Sequence, residues 1–271
     1  MRDAPIYALT SVTKLDESHA GTVIVAGSHG GIYPGYLAAK AHVRAIILND
    51  AGVGFAQAGI GSLAYLDALR LPAATASHET ARIGDGHDML LRGVISHVNR
   101  AARELGARAG LHVKECAALL RRAAPTQREP EPYAESRFLL RDEPGEPKVW
   151  GLDSVSLVRP QDAGHVVVTG SHGGLLAGEQ GSALKVDALA ALFNDAGVGI
   201  DNAGISRLPT LDARGIAAAT LDHKSCKIGD ARSAWTSGVV SFCNESARAL
   251  GAKPGMSTTQ FARQVIGARV V

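Results

Sequence analysis

The sequence predicts an α/β protein: a tandem duplication of a Rossmann-like three-layer unit with mostly parallel sheets, the two copies related by a pseudo-two-fold axis. Three observations predict it. Short β-branched or apolar runs alternate with helical stretches along the whole chain, which is the pattern of parallel strands joined by right-handed crossovers. Three motifs occur twice in the same order. Gly27-Ser28-His29-Gly30-Gly31 returns as Gly170-Ser171-His172-Gly173-Gly174, Asn49-Asp50-Ala51-Gly52-Val53-Gly54 as Asn194-Asp195-Ala196-Gly197-Val198-Gly199, and Ile83-Gly84-Asp85 as Ile228-Gly229-Asp230. The first pair is offset by 143 positions and the other two by 145. Finally, the 31 glycines cluster after apolar runs, as tight loops do and low-complexity segments do not.

In the first repeat, Ile6–Val12 and Thr22–Ala26 read as strands, short and β-branched between turn residues. Tyr36–His42 reads as a short helix, Ala45–Leu48 as a strand, Ser62–Leu69 as a helix and Ala73–Ala76 as a strand. Over Asp88–Leu105 the apolar residues Leu91, Ile95, Val98, Ala102 and Leu105 recur at helical spacing, which predicts one long amphipathic helix stopped by Gly106. A closing helix is expected over Val113–Arg122. The second repeat gives strands at Val155–Val158, Val166–Thr169, Ala190–Phe193 and Ala217–Thr220. Its helices fall at Ser182–Leu189, Thr210–Arg214, Ala234–Leu250 and Thr258–Ile266. The domains are therefore 1–124, a first α/β repeat; 125–149, a linker rich in proline and charge; and 150–271, a second α/β repeat. Ser136–Leu140 is a candidate strand or turn within the linker.

Composition excludes several function classes. A formal charge of +2 and an aromatic content of 4% supply neither the basic stripe nor the stacking platforms of a nucleic-acid binder. No stretch approaches the roughly 20 apolar residues needed to cross a bilayer. Met1–Pro5 lacks an apolar signal core, so a cytoplasmic protein is expected. Cys116, Cys226 and Cys243 are odd in number and lack metal-ligand spacing, which fits reduced thiols. Homo-oligomerisation is expected from the fold class alone.

Every recurring motif follows an expected strand, and ligands of open α/β sheets bind at the carboxyl ends of their strands. His29, Asp50 and His78, with His172, Asp195 and His223, are therefore the candidate catalytic residues. The histidines suit proton transfer near neutral pH, and an acidic neighbour would fix their tautomer. Ser28, Gly30, Gly31 and Asn49, with Ser171, Gly173, Gly174 and Asn194, are the candidate substrate-binding residues, the glycine amides serving as an anion cradle. The same imidazoles and carboxylates, joined by Asp85 and Asp230, would suit a divalent ion such as zinc or manganese. The cofactor is left open, because no recognised ligand spacing is present. Asp85 and Asp230 read first as helix N-caps. Cys226, between Lys224 and Lys227, is a candidate low-pKa thiol set against a plain buried one.

A strand ending in Ser-His-Gly, followed by one ending in an acidic residue and alanine, resembles caspase-like cysteine peptidases. There the second motif carries the nucleophilic cysteine. Here that place is Gly52 and Gly197, so the resemblance implies no peptidase. The expected function is that of an enzyme acting on a small polar, anionic metabolite, by hydrolysis of an amide-like bond. A lyase or isomerase using the same His/Asp set is the alternative within enzymes. A non-catalytic metabolite- or nucleotide-binding protein is the alternative outside them.

Overall fold

The computed structural model describes residues 4–126 and 128–268. The chain is α/β, with two mostly parallel sheets of five and six strands covered by helices, consistent with a Rossmann-like class. It divides into two compact units. Unit 1 holds Met1–Val53, Gln57–Ala134 and the short piece Gly199–Asp201; unit 2 holds Gly54–Ala56, Glu135–Val198 and Asn202–Val271.

In unit 1 the strands β1 (Ile6–Leu9), β2 (Val23–His29), β3 (Ala45–Asn49) and β4 (Ala73–Ala76) run parallel and lie side by side in chain order. β5 (Ile95–Val98) closes the edge antiparallel to β4. Because successive right-handed crossovers step the same way along the sheet, their helices fall on one face. These helices are α1 (Ile32–Lys40) and α2 (Ser62–Ala68), which bury Ala38, Ala39, Leu63 and Leu66 against Ile24, Ala26, Ile46 and Leu48. The opposite face presents Val23, Val25, Ala45, Ile47 and Ala74. It is covered by α3 (Gly86–Arg92), α4 (Arg100–Glu104) and α5 (Val113–Leu120). All five residues of β3 are fully buried, as expected of a central strand covered on both faces.

Unit 2 runs β6 (Arg137–Arg141), β7 (Val149–Leu152), β8 (Val166–His172), β9 (Ala190–Asn194), β10 (Ala217–Leu221) and β11 (Val240–Cys243), again side by side in chain order. β7 to β10 are parallel, and the two edges are antiparallel. One face packs α6 (Arg207–Asp212). The other packs α7 (Ala231–Ser237), α8 (Glu245–Ala249) and α9 (Thr258–Gly267). β6 lies inside the stretch 125–149 that reads as linker. It is held there by Arg137, which grips Asp162 with two hydrogen bonds of 2.9 and 2.6 Å and lies 4.1 Å over the Trp150 ring.

The expected long helix over Asp88–Leu105 is corrected to helix, strand and helix. Gly93 ends α3 in extended backbone, its amide donating to the Met89 carbonyl, and a Cβ there would meet that carbonyl at 2.5 Å. The β-branched residues that follow then pair with β4. Asn99 restarts the chain as α4: its Oδ1 accepts from Ala102 N and from Ala73 N, and its Nδ2 donates to Leu71 O. Leu91, read as part of the apolar stripe, is 78% exposed. Ala234–Leu250 breaks in the same way at Gly238 and Asn244.

Three other expectations shift. The strand read over Ile6–Val12 ends at Leu9, because Ser11 Oγ accepts from Thr13 N and opens a 3-10 turn. The strand read at Val155–Val158 is likewise a 3-10 turn begun by Ser154, and the true strand is β7. Ser182–Leu189 is not helical beyond the short 3-10 turn Gln180–Ser182. The buried guanidinium of Arg207 donates to the carbonyls of Ser182 and Ala183 and, at 3.0 Å, to that of Gly174. A helix would need the first two carbonyls for its own ladder.

Asn99 joins the end of β5, the start of β4 and the first turn of α4. Asn99→Ala is expected to lower the unfolding free energy by about 2 kcal/mol or more, since it removes a cap and strands two buried backbone groups. Urea denaturation measures this, and an unchanged midpoint would refute the assignment.

Candidate active site

The motif Asn49-Asp50-Ala51-Gly52-Val53-Gly54 leaves β3 as a left-handed turn. Ala51, Gly52, Val53 and Gly54 have φ of 49°, 73°, 63° and 69°. A left-handed run of L residues costs about 1–2 kcal/mol per non-glycine residue, so something must hold it. Asn49 Oδ1 accepts from Ala51 N at 2.9 Å, Asp50 Oδ1 from Gly52 N at 3.1 Å and Asp50 O from Val53 N at 2.7 Å. After β9, Ala196 to Gly199 repeat the conformation, held by Asn194 and Asp195 in the same way. Asn49 and Asn194 are sealed in the core. Their amides also donate to the carbonyls of Ala81 and Cys226, so they build the loop and do not face a ligand.

Asp50 is 3% exposed and reaches across to the loop after β4. Its Oδ1 accepts from His78 Nδ1 at 2.8 Å and from His78 N at 3.0 Å. Burial acts to raise its pKa. The bonds from the His78 ring and amide outweigh burial and hold it below the usual carboxylate value. Asp195 does the same in unit 2, its Oδ1 accepting from His223 Nδ1 and His223 N, both at 3.0 Å. There too burial is outweighed, by His223 and the Gly197 amide. An ionised carboxylate on Nδ1 makes that nitrogen the N–H donor. The basic lone pair of His78 and of His223 is thereby placed on Nε2.

His29 and His172 stand at the ends of β2 and β8 in the opposite tautomer. Gly31 N donates to His29 Nδ1 at 3.1 Å, and Gly174 N to His172 Nδ1 at 3.2 Å. Each Nδ1 is an acceptor, so the proton of the neutral ring lies on Nε2. Desolvation lowers the His29 pKa to about 4, which keeps the ring neutral at ordinary pH. The structure thus pairs Asp50 with His78, and Asp195 with His223, while His29 and His172 are oriented by backbone amides. β3 separates β2 from β4, so the ends that carry His29 and His78 stand about 10 Å apart, two strand spacings.

The glycines of the first motif act chiefly as spacers. Gly30 N donates to Asn49 O at 2.7 Å, and a Cβ on Gly30 would meet Gly59 O at 2.4 Å. With Gly31 N on His29, both amides are engaged within the loop. Gly173 and Gly174 match, with amides on Asn194 O and His172. The expected anion cradle therefore becomes a device for orienting the imidazoles. Ser28 Oγ accepts from Val12 N and Ser171 Oγ from Val155 N, so both hydroxyls brace the neighbouring 3-10 turns. Asp85 and Asp230 are N-caps, taking the amides of Asp88 and Ser233. Ile83-Gly84-Asp85 is a backbone crossing. Gly84 N donates to Gly27 O at 2.7 Å, and a Cβ on Gly27 would meet Asp85 N at 2.2 Å.

Burial bears on Cys226, and bonding on the candidate metal ligands. Cys226 is 1% exposed, and burial pushes its thiol up to about 11, overriding the flanking lysines. Among the described residues, one group brings three metal-ligating side chains together: Asp195, Asp222 and His223. Its atoms already serve the loop, Asp195 Oδ1 taking Gly197 and His223, and Asp222 Oδ1 taking Lys224 N. Two residues that the sequence did not single out lie behind the site: Ser96, whose Oγ is 3.1 Å from Thr75 Oγ1, and its counterpart Ser241, whose Oγ is 3.0 Å from Thr220 Oγ1. Both lie in stretches that read as helix.

No family model, curated protein or solved structure matches the chain.

The neutral, partly buried His29 ties stability to pH. Its pKa is 6.5 ordinarily and about 4 when folded, so the unfolded chain binds the extra proton. The contribution is full above about pH 6.5 and is lost as pH falls toward 4, with a slope of at most about 1.4 kcal/mol per pH unit. His29→Asn, which keeps an acceptor for Gly31 N, is expected to flatten that part of the stability–pH curve. Identical slopes for the two proteins would contradict the assignment.

Proposed function

We propose that the chain is an enzyme that hydrolyses an amide-like bond in a small polar metabolite by direct attack of water. The observation that carries this reading is the occurrence, in each unit, of two imidazoles in opposite tautomers at the carboxyl edge of one sheet. His78, with its lone pair on Nε2 and Asp50 on Nδ1, is suited to take a proton from water. His29, with its proton on Nε2, is suited to donate a hydrogen bond to the carbonyl oxygen as negative charge develops there. The new C–O bond gives a tetrahedral intermediate. His78 then returns its proton to the leaving nitrogen as the C–N bond breaks, giving a carboxylate and an amine. Asp50 stays ionised throughout and stabilises the imidazolium.

A covalent acyl-enzyme has little support. Ser28 is consumed in bracing a turn, and Cys226 is buried with a raised pKa. Unit 2 offers the same roles in His223 with Asp195 and in His172. The matching motifs and element order support descent of both units from one duplicated ancestor.

The test is a panel of small amides, cyclic amides and ureido compounds. On any substrate that turns over, Asp50→Asn combined with Asp195→Asn is expected to cut the rate by about 10²–10⁴-fold. In ¹⁸O-labelled water one label should enter the carboxylate, and added hydroxylamine should trap no acyl group. Full turnover in the double variant, or in His29→Gln with His172→Gln, would overturn the proposal.

A further inference from the structure

At the opposite edge of the unit 1 sheet, where β4 begins and the antiparallel β5 ends, lies an open cavity of about 670 Å³. That volume falls in the range that takes a small ligand. The length of β4, roughly 13 Å of strand, separates it from the loop that carries His78. Three guanidinium groups line it, those of Arg70, Arg100 and Arg128, with the carboxylates of Asp67 and Glu104. The fold accounts for the carboxylates. Asp67 Oδ1 accepts from Ala101 N at 3.0 Å, which ties α2 to the first turn of α4. Glu104 Oε1 accepts from Arg100 Nε at 3.0 Å, one helical turn away. The arginines have donors to spare. Arg100 gives one N–H to Glu104, and Arg128 gives one to the Ala68 carbonyl at 2.5 Å, whereas a guanidinium has five. Among the described residues, the Arg70 guanidinium has no hydrogen bond or ion pair.

Unit 2 builds the same corner without these charges. Asp212 Oδ1 accepts from Ser246 N at 2.7 Å, as Asp67 does from Ala101 N. Gly215 N donates to Asp212 O at 2.8 Å, as Arg70 N does to Asp67 O at 3.0 Å. Arg70, Arg100 and Glu104 are thus matched by Gly215, Glu245 and Ala249. Position 70 is the telling one. Both Arg70 and Gly215 are left-handed, with φ of 55° and 66°. Glycine takes that conformation at no steric cost, and a residue with a Cβ does not. The corner forms with a glycine and a glutamate at these places, so its frame does not require Arg70 or Arg100. An arginine kept where glycine is the easier residue, with its guanidinium on a cavity wall, points to something outside the chain.

We propose that this cavity is a binding site of unit 1 for a small multivalent oxyanion, a phosphorylated compound or a polycarboxylate, held by Arg70, Arg100 and Arg128. The planar fork of a guanidinium matches a pair of carboxylate or phosphate oxygens. The ligand carries more than one charge because Glu104 already holds Arg100. A monoanion would compete with that carboxylate on equal terms, whereas several charged oxygens on one ligand engage several forks together. The site is independent of the proposed hydrolysis, since none of its residues belongs to the Asp–His pairs.

The experiment is isothermal titration calorimetry of the full chain at constant ionic strength, with pyrophosphate, citrate and, as a monovalent control, acetate. Pyrophosphate or citrate is expected to bind, and acetate to bind at least about tenfold more weakly. Binding of pyrophosphate alone makes the ligand a phosphorylated compound, and binding of citrate alone makes it a polycarboxylate; either supports the site. Arg70→Gly and Arg100→Glu install the residues of the unit 2 corner, and each is expected to weaken binding by about tenfold or more. Arg108→Gln, which removes an exposed arginine of the same unit outside the cavity, should leave it unchanged. Should Arg70→Gly fail to fold, Arg70→Gln gives the same reading. Three results overturn the proposal. One is no binding of pyrophosphate or citrate, and another is acetate binding as tightly as they do. The third is an affinity unchanged when Arg70→Gly and Arg100→Glu are combined, which would show only a general attraction of anions to the chain.

Discussion

A buried carboxylate compensated by hydrogen-bond donors from two loops is the constraint on which each unit turns. Asp50 and Asp195 are each 3% exposed, and an isolated charge in such a place would cost several kcal/mol. Each is compensated by donors instead. Asp50 Oδ1 takes the Gly52 amide, the His78 amide and the His78 ring. Those donors lie on the loops after two neighbouring strands, so compensating the charge fixes both loops. The left-handed turn, the tautomer of His78 and the close packing of Gly59, whose Cβ would meet Asp50 O at 2.2 Å, all follow from that one requirement.

Where the units differ, the differences lie around this centre. Unit 1 follows its first glycine motif with α1, and Gly35 lets that helix approach Ser62. Unit 2 has no such helix. Arg207 stands in place of Ser62 and holds the loop by its carbonyls, its guanidinium 5.2 Å from the Phe193 ring and its pKa lowered to about 10 by burial. Unit 2 also carries an extra edge strand and a second carboxylate on its imidazole. Three tyrosines, Tyr33, Tyr36 and Tyr133, gather in unit 1 with ring centres 6.0 to 6.4 Å apart. The Asp–His pair is common to both units, and its surroundings are not.

The central parallel strands were legible because burial on both faces leaves near-continuous apolar runs, as in Ala45–Asn49. The motif residues were legible because they recur. The pairing of Asp50 with His78 was not legible, because the two lie 28 residues apart on the loops after two neighbouring strands, whereas the capping role of Asp85 was plain. The edge strand β5 was not legible. Helical spacing of Leu91, Ile95, Val98 and Ala102 is arithmetic on sequence, whereas Gly93 and Asn99 act through backbone crowding and through bonds to Leu71 and Ala73, which lie far off in sequence. Missing that strand also hid Ser96. The glycine amides were misread for a related reason: a run of N–H groups looks like an anion site until the residues that use them, Asn49 O and His29 Nδ1, are placed.

The crossing of Gly84 beneath Gly27 has a mechanical consequence. Most helices rest on a sheet through side chains, which can change rotamer and let the helix creep by fractions of an ångström. Here the lead-in to α3 touches β2 backbone to backbone, with Gly27 O bonded to Gly84 N and no side chain between them. The same rivet joins Gly170 to Gly229 in unit 2. A contact of this kind has no soft coordinate. The strand that ends in His29 is pinned two residues before the imidazole, so the backbone that carries the ring is held by the main chain and not by side-chain packing. The main chain itself thus fixes where the end of that strand lies.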